Sequence, residues 1–444
     1  MRLKIFSEIK AMTKLALPVV ADNLASMGAG VVAVLLAGRI NKESLGALGI
    51  GSSLLFFFLV FGFSTISGIV PIVAQAFGAN RKIEIEESTA QGFWVAILLS
   101  VIGFVILRYS ENILIYSGQN LATAKLASQY IFAGSFGIFS GMFYSVLRSF
   151  ILGLGKSRLT MIIAFSGFLT NSITAYILVT GKFGFNKYGI IGCGYAFSTA
   201  VTMELIICFF IVSFNKEFQI YNFRKYILIP NYTNIITLLK LGLPIAISAS
   251  LEYGVFNFVN LLMGRLGTVP LASHQIAINV AALTFMVPWG ISIATSTRVG
   301  HAIGRDEPHS AKLSGWVGIS LGTGFMFLTA LSFFLFSKDI VALYSTDLEV
   351  IKYSSSLLII AGGFQIFDGI QVTSVGASRG LKDTQRPMIT NLISYWLIGL
   401  PLGYLLAIHF KFGGFGYWLG LTFGLMIAAI LHTLRFKSLI NKLI

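Results

Sequence analysis

The amino-acid sequence predicts an all-α integral membrane protein, with twelve transmembrane helices arranged as two pseudo-symmetric six-helix bundles. Three observations carry this expectation. Of 444 residues, 56% are hydrophobic and only 11% are charged, against about 25% charged in soluble domains. Apolar runs of roughly 20 residues, each long enough to cross a bilayer of about 30 Å as a helix, recur along the chain. The second half also repeats the first. KLALP at Lys14 to Pro18 falls on KLGLP at Lys240 to Pro244, and at the same shift Gly28 falls on Gly254, Gly38 and Arg39 on Gly264 and Arg265, and Gly78 on Gly304, without a gap. Equivalent helices then lie an even number of spans apart, so both halves share one orientation and their pseudo-axis runs along the membrane normal.

The first span is expected over residues 15–38, after a basic tail, and holds Asp22 with Ser26 one turn further on. The second and third follow at 45–70 and 89–107, and the fourth at 124–147. Asn171 lies in the fifth, 159–180, where it either hydrogen-bonds across helices or lines a cavity. The sixth, 190–213, carries Glu204 in the run TMELIICFF, read as facing a neighbouring helix. Residues 214–239 form the longest polar stretch, a cytoplasmic linker between an N-terminal six-helix lobe at 1–213 and a C-terminal six-helix lobe at 240–444.

Glu252 lies about midway along the seventh span, 241–264, with Ser248 one turn before it. The eighth, 273–297, contains Asn279, Phe285 and Pro288; the proline removes a backbone donor and is expected to kink the helix. The ninth is 313–336, and the tenth, 353–376, carries Phe364, Gln365, Asp368 and Gln371. The eleventh and twelfth are 388–409 and 416–433.

With the N-terminus inside, roughly two-thirds of the 32 Lys and Arg residues gather on one face, which places both termini in the cytoplasm of a cell inner (plasma) membrane. No signal peptide is read at the N-terminus. Net charge is +15, but the basic residues are scattered singly between apolar runs, so no nucleic-acid partner is expected. The partners expected are the bilayer and small molecules, with the chain acting as a monomer. Cys193 and Cys208 lie in an apolar run and read as buried small hydrophobes. HExxH, GxSxG and Walker A patterns are missing, so no enzyme is expected, and no loop approaches the size of an ATPase domain. Transport would then run on an ion gradient.

An acid at the centre of a spanning helix costs about 2.5 to 3.5 kcal/mol on insertion scales, and persists where it faces a bundle interior or a water-filled cavity. Under the repeat, Glu252 falls on Ser26 and Asp368 on Gly141, so both acids are peculiar to the second half. Gln365, Asp368 and Gln371 share one helical face. Two carboxyls in a poorly solvated site favour taking up a proton or a metal cation. Glu252 and Asp368 are therefore read as the cation-coupling pair, with Na+ possible there. Asp22, Ser26, Asn171, Ser248, Asn279, Phe285, Phe364, Gln365 and Gln371 are read as lining a substrate or ion pathway. Arg148, Arg298 and Arg379 read as anchors at cytoplasmic helix ends, and His274 as a cap or loop contact.

The segments ASHQIAINVAALTFMVPWGISIATSTRVGHAIG (Ala272 to Gly304), FDGIQVTSVGASRGLKDTQRPM (Phe367 to Met388), GKFGFNKYGIIGCG (Gly181 to Gly194) and KLALP, with Glu252 alone in its span, resemble the multidrug and toxic compound extrusion family, nearest its NorM-type bacterial branch. The resemblance implies two six-helix bundles, alternating access, and export of cationic amphiphilic compounds in exchange for Na+ or H+, with no other cofactor. In that branch an acid on the seventh helix and another on the tenth form a cation site, matched here by Glu252 and Asp368, with Phe285 at an aromatic position near it. The chain departs from the family at Ala33, where many members carry an aspartate, and at Phe364, where a tyrosine is often found. A lipid or polyprenyl-linked substrate flippase of the same superfamily is the alternative. It would favour a basic cavity for a diphosphate, and no Lys or Arg lies near the middle of any of the first six spans.

Overall fold

Long apolar helices follow one another through the whole chain, in a computed structural model that describes residues 2–444. In order they are α1 (Arg2–Gly38), α2 (Lys42–Gly78), α3 (Lys82–Arg108), α4 (the pair Leu121–Ser135 and Gly137–Gly153), α5 (Ser157–Thr180) and α6 (Ile190–Phe214). The second half supplies α7 (Tyr232–Leu266), α8 (Thr268–Gly304), α9 (Pro308–Ala342), α10 (Leu348–Gly380), α11 (Gln385–His409) and α12 (Gly414–Asn441). Among the described residues 11 helices are each long and apolar enough to span a membrane, and 12 when the pair in α4 is taken as one bent span. Every expected span is present, and most run on past the apolar stretch by one or more turns into polar sequence.

Local chemistry sets the ends. Asn41 opens α2 by accepting the Ser44 N–H at 2.7 Å, and Asp347 opens α10 by accepting from Glu349 and Val350 at 2.8 and 3.1 Å. Gly181 closes α5 with a φ of 73°, in the left-handed region that favours glycine. Irregularities lie inside the spans. The two helices of α4 meet at 46°, α9 is non-helical at Phe336, and α11 widens into π-turns at Leu392–Gly399 and Leu405–His409.

The chain groups into two compact units, Ala21–Ala246 and Met1–Val20 together with Ile247–Ile444. Relative to the expected lobes at 1–213 and 240–444, residues 1–20 group with the second lobe and 214–246 with the first. In the Ala21–Ala246 unit, α6 packs on α5 and α4, and α4 on α2 and α3. The expected linker is tied down here. Gln91 of α3 donates to the carbonyls of Tyr226 and Ile229 at 3.0 and 3.1 Å and accepts from the Asn231 N–H at 2.9 Å. Trp94 donates to the Ile227 carbonyl, and Phe150 stacks edge-on against Phe223.

In the other unit α10 is central and packs on α8, α9 and α12. Small residues allow this. A Cβ at Gly380 would stand 2.7 Å from the Ser296 carbonyl of α8, and one at Gly369 would stand 3.0 Å from the Gly322 carbonyl of α9. The opening half of α1 docks on the same unit. Met12, Leu15 and Ala16 pack with Ile291, Ala294 and Val317, while Glu8 pairs with Arg298 and accepts from the Ser314 hydroxyl at 2.7 Å. Arg298 is therefore not the snorkelling anchor expected of it, because a carboxylate of the same unit holds its guanidinium.

Candidate cation site

The site builds from two acids on two helices. Asp368 is buried about midway along α10, and Glu252 is half-buried midway along α7. The Glu252 carboxylate is near enough for its charge to act on Asp368. Neither acid enters a hydrogen bond or ion pair with another described residue. No further His, Cys, Asp or Glu completes a group of three with metal-holding geometry among the described residues, so the pair contributes two negative charges at most.

Buried oxygens without hydrogen-bond partners lie on the same helix as Asp368 and on α11. Gln365 and Gln371, one turn either side of Asp368, each carry a buried Oε1 with no hydrogen-bond partner. The buried hydroxyl of Tyr395 on α11 also lacks a partner, and the charges of both Glu252 and Asp368 reach it. The two carboxylates and the Tyr395 hydroxyl that their charges reach are oxygen donors, the kind that suits small hard cations, and the carboxylates can equally take a proton.

Neighbouring helices fix the two acids in place. On α11, Trp396 donates to the Leu251 carbonyl at 3.0 Å, beside Glu252. Asn391 donates to the Ser248 hydroxyl at 2.8 Å, and its Oδ1 meets His432 Nε2 of α12 at 2.8 Å. On α8, Thr284 accepts a hydrogen bond from the Gln365 amide. Thr284 is four residues before Pro288, whose nitrogen cannot return an N–H to the Thr284 carbonyl; α8 continues as one helix through the buried Pro288.

The remaining expectations divide. Phe285 stands 5.9 Å from Trp289, and the Arg379 guanidinium lies 5.7 Å from the Trp289 ring, with its charge reaching Glu252. Arg379 thus faces the interior chemistry rather than serving only as an anchor. Asn279 is exposed and accepts from the Tyr344 hydroxyl at 3.1 Å. Phe364 is buried in the core, 5.9 Å from Phe256 and 5.7 Å from Trp418. His274 is buried and accepts the Trp418 indole N–H at 3.2 Å, which replaces the cap or loop contact expected for it.

In the Ala21–Ala246 unit, Asp22 is buried against Arg148 at 2.8 Å, so Arg148 too is a paired interior cation and not an anchor. Ser26 is exposed and donates to the Asp22 carbonyl at 3.1 Å, Asn171 is buried on α5, and Ala33 is half-buried.

Sequence reasoning passed over Tyr395, Asn391 and His432. Asn391 was findable by the criterion that singled out Glu252 and Asp368, since under the repeat it falls on the apolar Ala164. Tyr395 gives no such signal, because under the repeat it falls on another aromatic residue, Phe168.

The model of the MatE family matches residues 18–177 and again 244–405, one match in each half. A probable multidrug resistance protein NorM of Xanthomonas axonopodis pv. citri is 36% identical over 437 residues, covering 98% of this chain and 95% of its own. The multidrug resistance protein MdtK of Yersinia pseudotuberculosis is 33% identical over 442 residues, covering 98% and 96%. Among solved structures, the eukaryotic MATE transporter AtDTX14 superposes with a TM-score of 0.88 at 22% identity over 99% of both chains. A MOP superfamily transporter from Pyrococcus furiosus gives 0.89 at 19% identity, over 98% of this chain and 96% of its own. With two family matches spanning both halves and relatives alike along nearly their whole length, the chain belongs to the MatE family of multi-pass membrane transporters.

Proposed function

We propose that this chain is a multidrug efflux antiporter that exports cationic amphiphilic compounds by alternating access, driven by Na+ or H+ entering through Glu252 and Asp368. It acts from the plasma membrane with both termini in the cytoplasm. The observation that carries the coupling role is the pair of mutually interacting carboxyls without hydrogen-bond partners, together with the unpartnered Tyr395 hydroxyl that both charges reach. The names of the relatives, multidrug resistance proteins, support the substrate class.

A shared carboxylate site gives exchange a physical basis, because a bound coupling ion and a cationic substrate compete for the same charge. One monovalent ion moving down 100 mV releases about 2.3 kcal/mol. One-for-one exchange of a monovalent ion for a monovalent cation moves no net charge, so it draws only on the ion's concentration difference, about 1.4 kcal/mol per tenfold, and the potential adds to it only where more ion charge enters than substrate charge leaves. The test is accumulation of a fluorescent organic cation in reconstituted vesicles under an imposed sodium gradient, a pH gradient, or neither. Accumulation under one gradient and its absence without any is the expected result; equal accumulation in all three would refute the assignment.

A further inference from the structure

The Ala21–Ala246 unit holds a second charge cluster, distinct from Glu252 and Asp368 and built on a buried Asp22. Arg148 of α4 donates from Nε and Nη2 to Asp22 Oδ2 of α1 at 3.0 and 2.8 Å. Glu204 of α6 lies where both of those charges act on it. It is half-buried and sits over Gly167 of α5, where a Cβ would meet Glu204 Cδ at 2.6 Å. Tyr144, one turn before Arg148, is 7% exposed, and its hydroxyl has no hydrogen-bond partner. The charges of Glu204, Asp22 and Arg148 all reach that hydroxyl. Cys208, one turn after Glu204, is the remaining titratable group facing it.

The cluster has one guanidinium for two carboxylates. Arg148 is committed to Asp22 by two hydrogen bonds, so an ionised Glu204 would be the excess charge. An uncompensated buried ion costs several kcal/mol, and a carboxylate relieves that cost by taking a proton. A protonated Glu204 also gains a donor, in a place where the Tyr144 oxygen has none to accept.

We propose that Glu204 is a proton-binding site of the first lobe, separate from the Glu252 and Asp368 pair, and that deprotonated Glu204 and Asp22 compete for Arg148. The proton is taken from water and returned to it, and no bond other than O–H forms or breaks. The site responds to pH independently of any ion held by the second lobe.

Infrared difference spectroscopy of the full-length protein, stepped between about pH 5 and pH 9 and so above the range in which ordinary carboxyls titrate, tests this. A protonated-carboxyl C=O band is expected that shifts in D2O and is lost in Glu204→Gln. Asp22→Asn should move the band's titration to lower pH, because Arg148 is then released to Glu204. In Glu204→Asp a shifted band should return, which separates a titrating group from a folding defect. Glu252→Gln and Asp368→Asn should leave the band in place. No Glu204-dependent band in this range, a band that disappears with Glu252→Gln, or a band unmoved by Asp22→Asn overturns the proposal.

Discussion

Glu252 and Asp368 are held by no hydrogen bond among the described residues, so replacing either by its amide removes its charge while keeping its shape. Glu252→Gln and Asp368→Asn are each expected to reduce gradient-driven export in vesicles to background, with normal amounts of protein in the membrane. Arg379 acts in the opposite direction, since its charge opposes that of a cation at Glu252. Arg379→Gln should tighten binding of the coupling cation by on the order of tenfold, about 1.4 kcal/mol, read as the half-saturating concentration of the ion. Unchanged or weaker affinity would place Arg379 out of electrostatic reach. Both acids were legible in the sequence because an isolated acid in an apolar run is costly and so informative. Arg148 was misread because its partner, Asp22, lies 126 residues away in the chain, and a lone arginine near a helix end looks the same whether it snorkels or is paired.

Helices were the most legible level, since the length and apolarity of each span are written in consecutive residues. The bend inside α4, the interruption of α9 at Phe336 and the π-turns of α11 were not, because packing against neighbours decides them rather than local composition. Close approach of α10 to α8 is another such property, and it makes a prediction. Gly380→Ala would drive a methyl toward the Ser296 carbonyl, a contact of 2.7 Å before relaxation, at a cost of about 1–3 kcal/mol typical of overpacking. Gly363→Ala on the same helix meets nothing within 4 Å and should be neutral or stabilising by about 1 kcal/mol. Thermal unfolding in detergent compares them, and equal melting temperatures would show that α10 can slide away from α8.

At the scale of the whole molecule, the orientation inferred from charge can be checked directly. In a background with Cys193 and Cys208 replaced, single cysteines at Asn41, Asn186 and Lys411 should react with an impermeant thiol reagent from outside, and those at Lys156 and Lys382 should not. A reversed pattern would invert the direction of transport. The repeat was legible as an alignment of residues, whereas the exchange of helix halves was not. The two units part at Val20 and at Ala246, positions that fall on one another under the repeat, each two residues past a proline, Pro18 or Pro244. Residues 1–20 are held to the second unit by Glu8 and Arg298, and Arg298→Gln would remove charged hydrogen bonds worth about 2 kcal/mol. Amide exchange over residues 3–20 should then quicken by roughly 30-fold, with α3 to α6 unaffected. The 290 residues separating Glu8 from Arg298 also have a meaning in time. At a synthesis rate of about 5–20 residues per second, roughly 15 to 60 seconds pass between translation of the two partners. The ribosome thus delivers the first segment of the chain long before its docking partner exists. During that interval Glu8, Met12, Leu15 and Ala16 have none of the partners, Arg298, Ser314, Ile291, Ala294 and Val317, that they meet in the finished unit.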